Sequence, residues 1–382
     1  MIARIVIYVF LLIVLPDLYI DFRYLRTNKG LPLWKRLVWW IPGMLMLAYT
    51  IYMVSLPGFI PADYWQYDLY MLLLGVLVLP KVVFLVFSFI HRKLAVAIAI
   101  LVAIFYVYGT TVGFSKLEVK HVTVPIKGLP KAFDGYRVAL LSDWHVGSYT
   151  GWREYILERA VDSVLAQQAD LILFTGDLQN IHPREIQQHA DVLKRLQAKD
   201  GIYSVLGNHD YAGYIRTDSI AKARQEEHTV IAEQQLGWKV LQNESACIMR
   251  KSGVPDESSE DKIYIVGTNN DGRPPFISKA DYQKAYADCP SGACSIMLQH
   301  DPSAWQRNIL RQTPAQLTLS GHTHGGQMSI FGWHPTELSV REDYGLFEQV
   351  GRYLYVSGGL GGIVPFKLGM AGEIIILTLR CE

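Results

Sequence analysis
The sequence predicts an α/β chain in two parts: four N-terminal transmembrane helices, then a sandwich of two sheets flanked by helices. Three observations carry this reading. Apolar residues make up 50% of the 382, and most of the excess lies before residue 113, in segments long enough to cross a bilayer. From about Tyr136 the pattern changes to short apolar runs that end in polar, sharply turning residues. Helix-like stretches separate the first runs, which argues for layers of strand and helix.

The expected spans run from Ile2 to Ile20, Leu37 to Leu56, Tyr70 to Ile90 and Leu94 to Val112. A helix crossing the hydrocarbon core needs about 20 apolar residues. The first segment, with Arg4 and the run Ile5 to Leu15, also has the form of a secretory leader. Pro16, Asp17, Leu18 and Tyr19 follow without a small-residue cleavage pattern, so a retained helix is expected. Arg23, Arg26, Lys29, Lys35 and Arg36 fill the first connection and Arg92 and Lys93 the third, whereas the second, Pro57 to Tyr67, has no basic residue. The excess of Lys and Arg marks the cytoplasmic side, which puts everything after Val112 on the extracytoplasmic side of a cell or inner membrane. Trp39, Trp40, Tyr64 and Trp65 fall where an aromatic belt is expected. Lys81, inside the third span, needs a partner; Asp17 is one, a lipid phosphate another.

A formal net charge of +1 gives no field that would gather nucleic acid, and none is expected as a partner. Cys247, Cys289, Cys294 and Cys381 all follow the spans. Cys289 and Cys294 flank the turn-like "PSGA", which a disulfide could close in an oxidising compartment.

In the soluble part, "YRVALLSDWH" reads as a buried strand ending at Asp143, and "ADLILFTGD" ends at Asp177. "GIYSVLGNHD" ends at Asn208 and His209, "CSIMLQHD" at His300, and "AQLTLSGHTH" at His322 and His324. "GWREYILERAVDSVLAQQA" places Tyr155, Leu157, Ala160, Val161, Val164 and Leu165 near one helical face, and "REIQQHADVLKRLQA" follows the second strand. Trp238 to Thr268 reads as a strand pair around "SGVPDESSED", and "YLYVSGG" and "EIIILTL" as two closing strands. Asp143, His145, Asp177, Asn208, His209, His300, His322 and His324 therefore collect at strand ends, where α/β proteins place functional groups. Carboxylate, amide oxygen and imidazole are the donors of divalent metals, and a carboxylate can bridge two ions. Each motif alone is common in turns. All five in order make chance a poor explanation.

The ordered set "DWH", "GD", "GNHD", "QHDP" and "GHTHGGQ", over roughly Val122 to Leu379, resembles the calcineurin-like metallophosphoesterase family. Together with the apolar spans, the resemblance divides the chain into 1–112 as a transmembrane region, 113–135 as linker and first strand, and 136–382 as the metallophosphoesterase domain. It implies that Asp143, His145 and His324 hold one divalent ion, that Asn208, His300 and His322 hold another, and that Asp177 bridges them. The ions would be manganese, iron, zinc or magnesium, since nitrogen and oxygen donors accept several. His209 would touch a phosphate oxygen or protonate the leaving group. Asp210 would orient His209, or else cap the helix that follows. "YVSGGLGGIVPFKLG" before "GEIIILTL" is similar to a loop of membrane-associated relatives, in which Lys367 stands where Arg is common and would bind substrate phosphate as a point charge.

The resulting expectation is a membrane-anchored phosphohydrolase acting on a phosphodiester, phosphomonoester or pyrophosphate of a lipid or lipid-linked substrate. The alternatives are an enzyme similar to the UDP-diacylglucosamine pyrophosphohydrolases, which would have to face the cytoplasm, and a non-catalytic metal-binding membrane sensor. Specificity is expected in the loops Tyr211 to Asp218, Ser252 to Asp261 and Phe331 to Tyr344. There Tyr214, Phe331 and Trp333 read either as an acyl pocket or as surface anchors.

Overall fold
The computed structural model describes residues 2–56, 64–251 and 260–382, with side chains from Val6 onward. The chain divides into two compact units, one of Met1–Phe114 with Val364–Leu368, the other of Ser115–Ile363 with Gly369–Glu382.

The first unit is helical. Among the described residues, Leu33–Ser55, Tyr64–Ser88 and Arg92–Gly113 are long and apolar enough to cross a membrane, three such helices where four spans were expected. The first expected span is a helix, Ile2–Ile20. By the same measure of length and composition it is not among those three. Within Tyr64–Ser88 the helix widens to a π turn at Leu74–Val78, just before Pro80. Proline has no N–H to give and its ring crowds the carbonyl four residues back, so the ladder adjusts there. Lys81 has found the nearer of its two expected partners: its Nζ lies 2.7 Å from Asp17 Oδ1 and 4.8 Å from the Trp39 ring centroid.

The second unit holds twelve strands among the described residues. In chain order they are β1 (Leu117–Ile126), β2 (Arg137–Leu141), β3 (Leu171–Phe174), β4 (Ile202–Ser204), β5 (Lys239–Val240) and β6 (Glu244–Lys251). The remainder are β7 (Glu260–Gly267), β8 (Ser295–Leu298), β9 (Leu317–Ser320), β10 (Gly345–Gln349), β11 (Arg352–Val356) and β12 (Gly372–Cys381). They form two six-stranded sheets, ordered β1-β12-β2-β3-β4-β5 and β10-β11-β9-β8-β7-β6. Alternate residues of both pack into one core: Val138, Leu140, Leu171, Leu173 and Leu377 from the first sheet, Ile263, Ile265, Ile296, Leu298, Leu317 and Leu319 from the second. Period-two alternation sends their neighbours outward. Met297, Val266 and Val356 meet Trp305, Ile309 and Tyr282 on the outer face of the second sheet. β2, β3, β8 and β9 are thus covered on both faces, which is why they read as continuous apolar runs.

The helix Glu154–Ala166 buries Ile156, Leu157, Ala160, Val161 and Val164; Tyr155, expected on that face, points outward. The next expected helix is split at His189 into Pro183–Gln188 and Ala190–Leu193. β6 and β7 pair antiparallel as expected, while residues 252–259 of the intervening loop lie outside the described residues. All four cysteines are free thiols, so no disulfide closes the "PSGA" turn.

The Asp17–Lys81 pair gives a stability test. Asp17→Ala leaves a largely buried ammonium uncompensated and is expected to cost about 3 kcal/mol, whereas Asp17→Leu with Lys81→Met together costs much less. Thermal unfolding of the detergent-solubilised chain measures both.

Candidate metal centre
The strand-end residues converge. Asp143 and His145 follow β2, Asp177 follows β3, Asn208 and His209 follow β4, His300 follows β8, and His322 and His324 follow β9. Because β2, β3 and β4 run parallel, as do β8 and β9, their carboxyl ends deliver these loops to one edge of each sheet. Asp143, His145 and His324 place one donor atom each within 4.8 Å of one another, and so do Asp177, His300 and His322.

The backbone bends sharply to bring this about. Asp143, His145, Asp177, His322 and His324 all have left-handed φ, of 51, 48, 58, 76 and 53°. Such conformations cost a non-glycine residue about 1–3 kcal/mol each and persist only when the surroundings enforce them. Two glycines make the room. A Cβ on Gly207 would strike the Asp177 carboxylate, and one on Gly321 would strike that of Asp143. Gly325 and Gly326 turn the chain after His324 with φ of 54 and 64°. Between the two histidines, Thr323 turns away to donate from Oγ1 to the Asp343 carbonyl.

Asp177 joins the two groups. Its Oδ2 lies 3.7 Å from His145 Nε2 and 3.2 Å from His300 Nε2, while its Oδ1 accepts from the His209 N–H at 2.8 Å. On the other side, His324 Nε2 is 3.3 Å from Asp143 Oδ1. Asn208 Oδ1 is 2.6 Å from His322 Nδ1 and 3.0 Å from His300 Nε2. The amide of Asn208 is held in that sense by Tyr214, whose hydroxyl takes its Nδ2 at 2.7 Å.

These contacts allow a test of fit for a cation. His300 Nδ1 faces the Thr175 carbonyl at 2.8 Å, and a carbonyl only accepts, so Nδ1 carries the hydrogen. Its Nε2 lone pair then meets two further acceptors, Asp177 Oδ2 and Asn208 Oδ1. Acceptors converging on acceptors need a positive charge among them. Without a metal a proton supplies it: burial works against an imidazolium, yet the Asp177 carboxylate pushes His300 up to about 10. Burial holds His145, His209 and His322 below the usual histidine range, leaving neutral imidazoles of the kind that ligate metals. Burial also opposes charge on Asp177, but His300 above all holds its carboxyl well below the usual range. His145 Nδ1 is buried with no hydrogen-bond partner among the described residues, an orphan a cation would satisfy. The donors present fit two adjacent divalent cations.

Two expectations are corrected or relocated. The Asp210 carboxylate does not hold the His209 ring: its Oδ2 accepts the N–H of Asp177 at 2.7 Å and of Gly207 at 2.8 Å, and its Oδ1 that of Gln179 at 3.3 Å. Burial and the Asp177 charge push this carboxyl up to about 7 against those donors. His209 is positioned instead by the Asn180 carbonyl, 2.8 Å from Nδ1, and by a parallel stack on Tyr214 with centroids 4.3 Å apart. Lys367 is buried in Val364–Leu368, a segment that belongs with the helical unit, where its N–H donates to the Gly109 carbonyl. Phe276, whose ring meets His322 edge-on at 4.8 Å, is a site residue the sequence did not reveal, and Tyr214, expected as pocket lining or surface anchor, instead supports Asn208 and His209. Of the loop aromatics, Phe331 and Trp333 are exposed.

Carboxylates and imidazoles paired at the ends of two facing sets of parallel strands are what a phosphoesterase working through divalent cations requires. The chain belongs to the calcineurin-like phosphoesterase family, whose model matches residues 136–326. A transmembrane protein with a metallophosphoesterase domain from Danio rerio is 28% identical over 290 residues, covering 74% of this chain and 61% of that protein, less than two thirds of its length. The uncharacterized metallophosphoesterase YkuE of Bacillus subtilis is 28% identical over 278 residues, covering 69% of this chain and 86% of that one. The UDP-2,3-diacylglucosamine pyrophosphatase LpxG of Chlamydia trachomatis is 26% identical, covering 66% and 86%.

An amide at position 210 offers one acceptor where three backbone N–H groups need two. Asp210→Asn is therefore expected to lower manganese affinity by about 10- to 100-fold, the usual effect of losing a group that orients ligands. Isothermal titration calorimetry reads it, and unchanged affinity would remove Asp210 from the scheme.

Proposed function
We propose that the chain is a membrane-anchored phosphohydrolase that uses two divalent metal ions to cleave a phosphodiester, phosphomonoester or pyrophosphate bond of a lipid or lipid-linked substrate. The observation that carries it is the position of the Asp177 carboxylate, within 4 Å of imidazoles from both donor groups. In this reading Asp143, His145 and His324 would hold one ion and Asn208, His300 and His322 the other, with Asp177 shared between them. The metal pair, when bound, supplies a low-pKa water for attack on phosphorus and neutralises charge on the phosphoryl oxygens.

The protein's own groups do the rest. Thr175 fixes the His300 tautomer that leaves Nε2 free to ligate. Asn180 likewise fixes the hydrogen of His209 on Nδ1, so Nε2 is the atom that takes up or gives a proton. The Tyr214 stack keeps that ring in one plane next to His145, 5.0 Å away between centroids. Apolar helices of membrane-crossing length and the similarity to a transmembrane metallophosphoesterase support a lipid or lipid-linked substrate.

A second reading, pyrophosphate cleavage in a UDP-diacylglucosamine-type lipid on the cytoplasmic side, draws on the similarity to LpxG. The two differ in topology. Cys247 and Cys381 are exposed, so a membrane-impermeant maleimide labels them in intact cells if the domain is extracytoplasmic, as the distribution of Lys and Arg favours. Labelling that requires permeabilisation supports the second reading.

Hydrolysis of aryl phosphodiesters and monoesters by the detergent-purified chain is expected to depend on added manganese. Asp177→Asn should lower it by at least about a hundredfold, since an amide cannot bridge two cations. Equal inactivity of both proteins across metals and lipid phosphates would refute the hydrolase reading.

A further inference from the structure
The geometry points to a binding site for one anionic phospholipid in a cleft of the helical unit. This rests on the membrane placement of the helices and is independent of the hydrolytic site. The cleft, of about 410 Å³, is lined by all three candidate spans and by the segment around Tyr24. From the helix Arg92–Gly113 it takes Arg92, Val96, Ala99, Ile100 and Ala103. Their spacing lays one stripe along a single helical face. At 1.5 Å per residue the stripe runs about 16 Å, roughly half the ~30 Å hydrocarbon core and so the depth of one leaflet.

The polar atoms gather towards one end. Arg92 stands at the mouth, 4.9 Å from the Tyr24 ring centroid, beside Lys93. Deeper in, Trp39 presents Nε1 as a buried donor with no acceptor among the described residues. Lys81, 4.8 Å from the same ring, is hydrogen-bonded to Asp17 through one of the three donors an ammonium carries. The two charged groups the cleft offers, Arg92 and Lys81, are both cations, and the wall beyond them is apolar. A phosphate at Arg92, ester oxygens at Trp39 and Lys81, and an acyl chain along Val96 to Ala103 match that gradient. A headgroup with a net negative charge is favoured because the carboxylate nearby, Asp17, is already paired with Lys81.

Native mass spectrometry of the delipidated full chain with added dioleoyl phosphatidylglycerol or dioleoyl phosphatidylcholine tests this. One phosphatidylglycerol is expected per chain, with phosphatidylcholine bound at least about fivefold more weakly. Arg92→Gln, at an exposed position, should weaken phosphatidylglycerol about fivefold and leave phosphatidylcholine unchanged. Trp39→Phe keeps the ring, removes the N–H and should also weaken it. Lys29→Gln, exposed and outside the cleft, should change neither. Equal binding of the two lipids, or equal losses in Arg92→Gln and Lys29→Gln, means a generic annular lipid and overturns the proposal.

Discussion
The Asp177 carboxylate, buried between imidazoles of two donor groups, is the feature on which the rest of the second unit depends. A negative charge in a protein interior is costly unless it is paired and hydrogen-bonded. Here His145 and His300 face one oxygen and the His209 N–H the other. Beneath it, Asp210 spends its own carboxylate on the backbone of Asp177, Gly207 and Gln179. The loops after β3 and β4 are thereby tied to each other through side chains rather than through a sheet ladder. This lets Asp177 keep a left-handed backbone that few non-glycine residues adopt.

The sandwich explains why donors from distant parts of the chain can meet. Parallel strands end together, and two sheets sharing one core bring two such sets of ends to a common edge. The first sheet supplies Asp143, His145, Asp177, Asn208 and His209, and the second supplies His300, His322 and His324. Close-packed interiors leave little slack, so small residues are needed where loops cross. Gly207 and Gly321 stand where a side chain would displace a carboxylate.

Most of this was legible one motif at a time. The buried strands were visible because they are covered on both faces and so read as unbroken apolar runs. The donors were visible because each follows such a run. What the sequence left open was which carboxylate supports which ring. Asp210 adjoins His209 and looked like its orienter, yet both lie in a turn in which the Asp210 N–H returns to the Gly207 carbonyl. The Asp210 side chain turns inward to the backbone, while Asn180, from another loop, takes the His209 ring. Tyr214 was indistinguishable from a surface aromatic because its value lies in two contacts, with Asn208 and His209, that only the fold creates. In the helical unit, Asp17 was nameable as a partner for Lys81 because an intramembrane charge has few options.

By itself the sequence determined the division into apolar helices and an α/β sandwich, and the identity of the residues that could bind metal. Both are written in local signals: apolar length, period, and residue type at strand ends. The tertiary structure decided the distances within the two donor groups around Asp177, the diversion of Asp210 to the backbone, and the burial of Lys367 in a segment that belongs with the helices. Those are distances of a few ångströms between residues tens to hundreds of positions apart, and they are fixed by how the sheets pack and the chain turns, which no local pattern encodes.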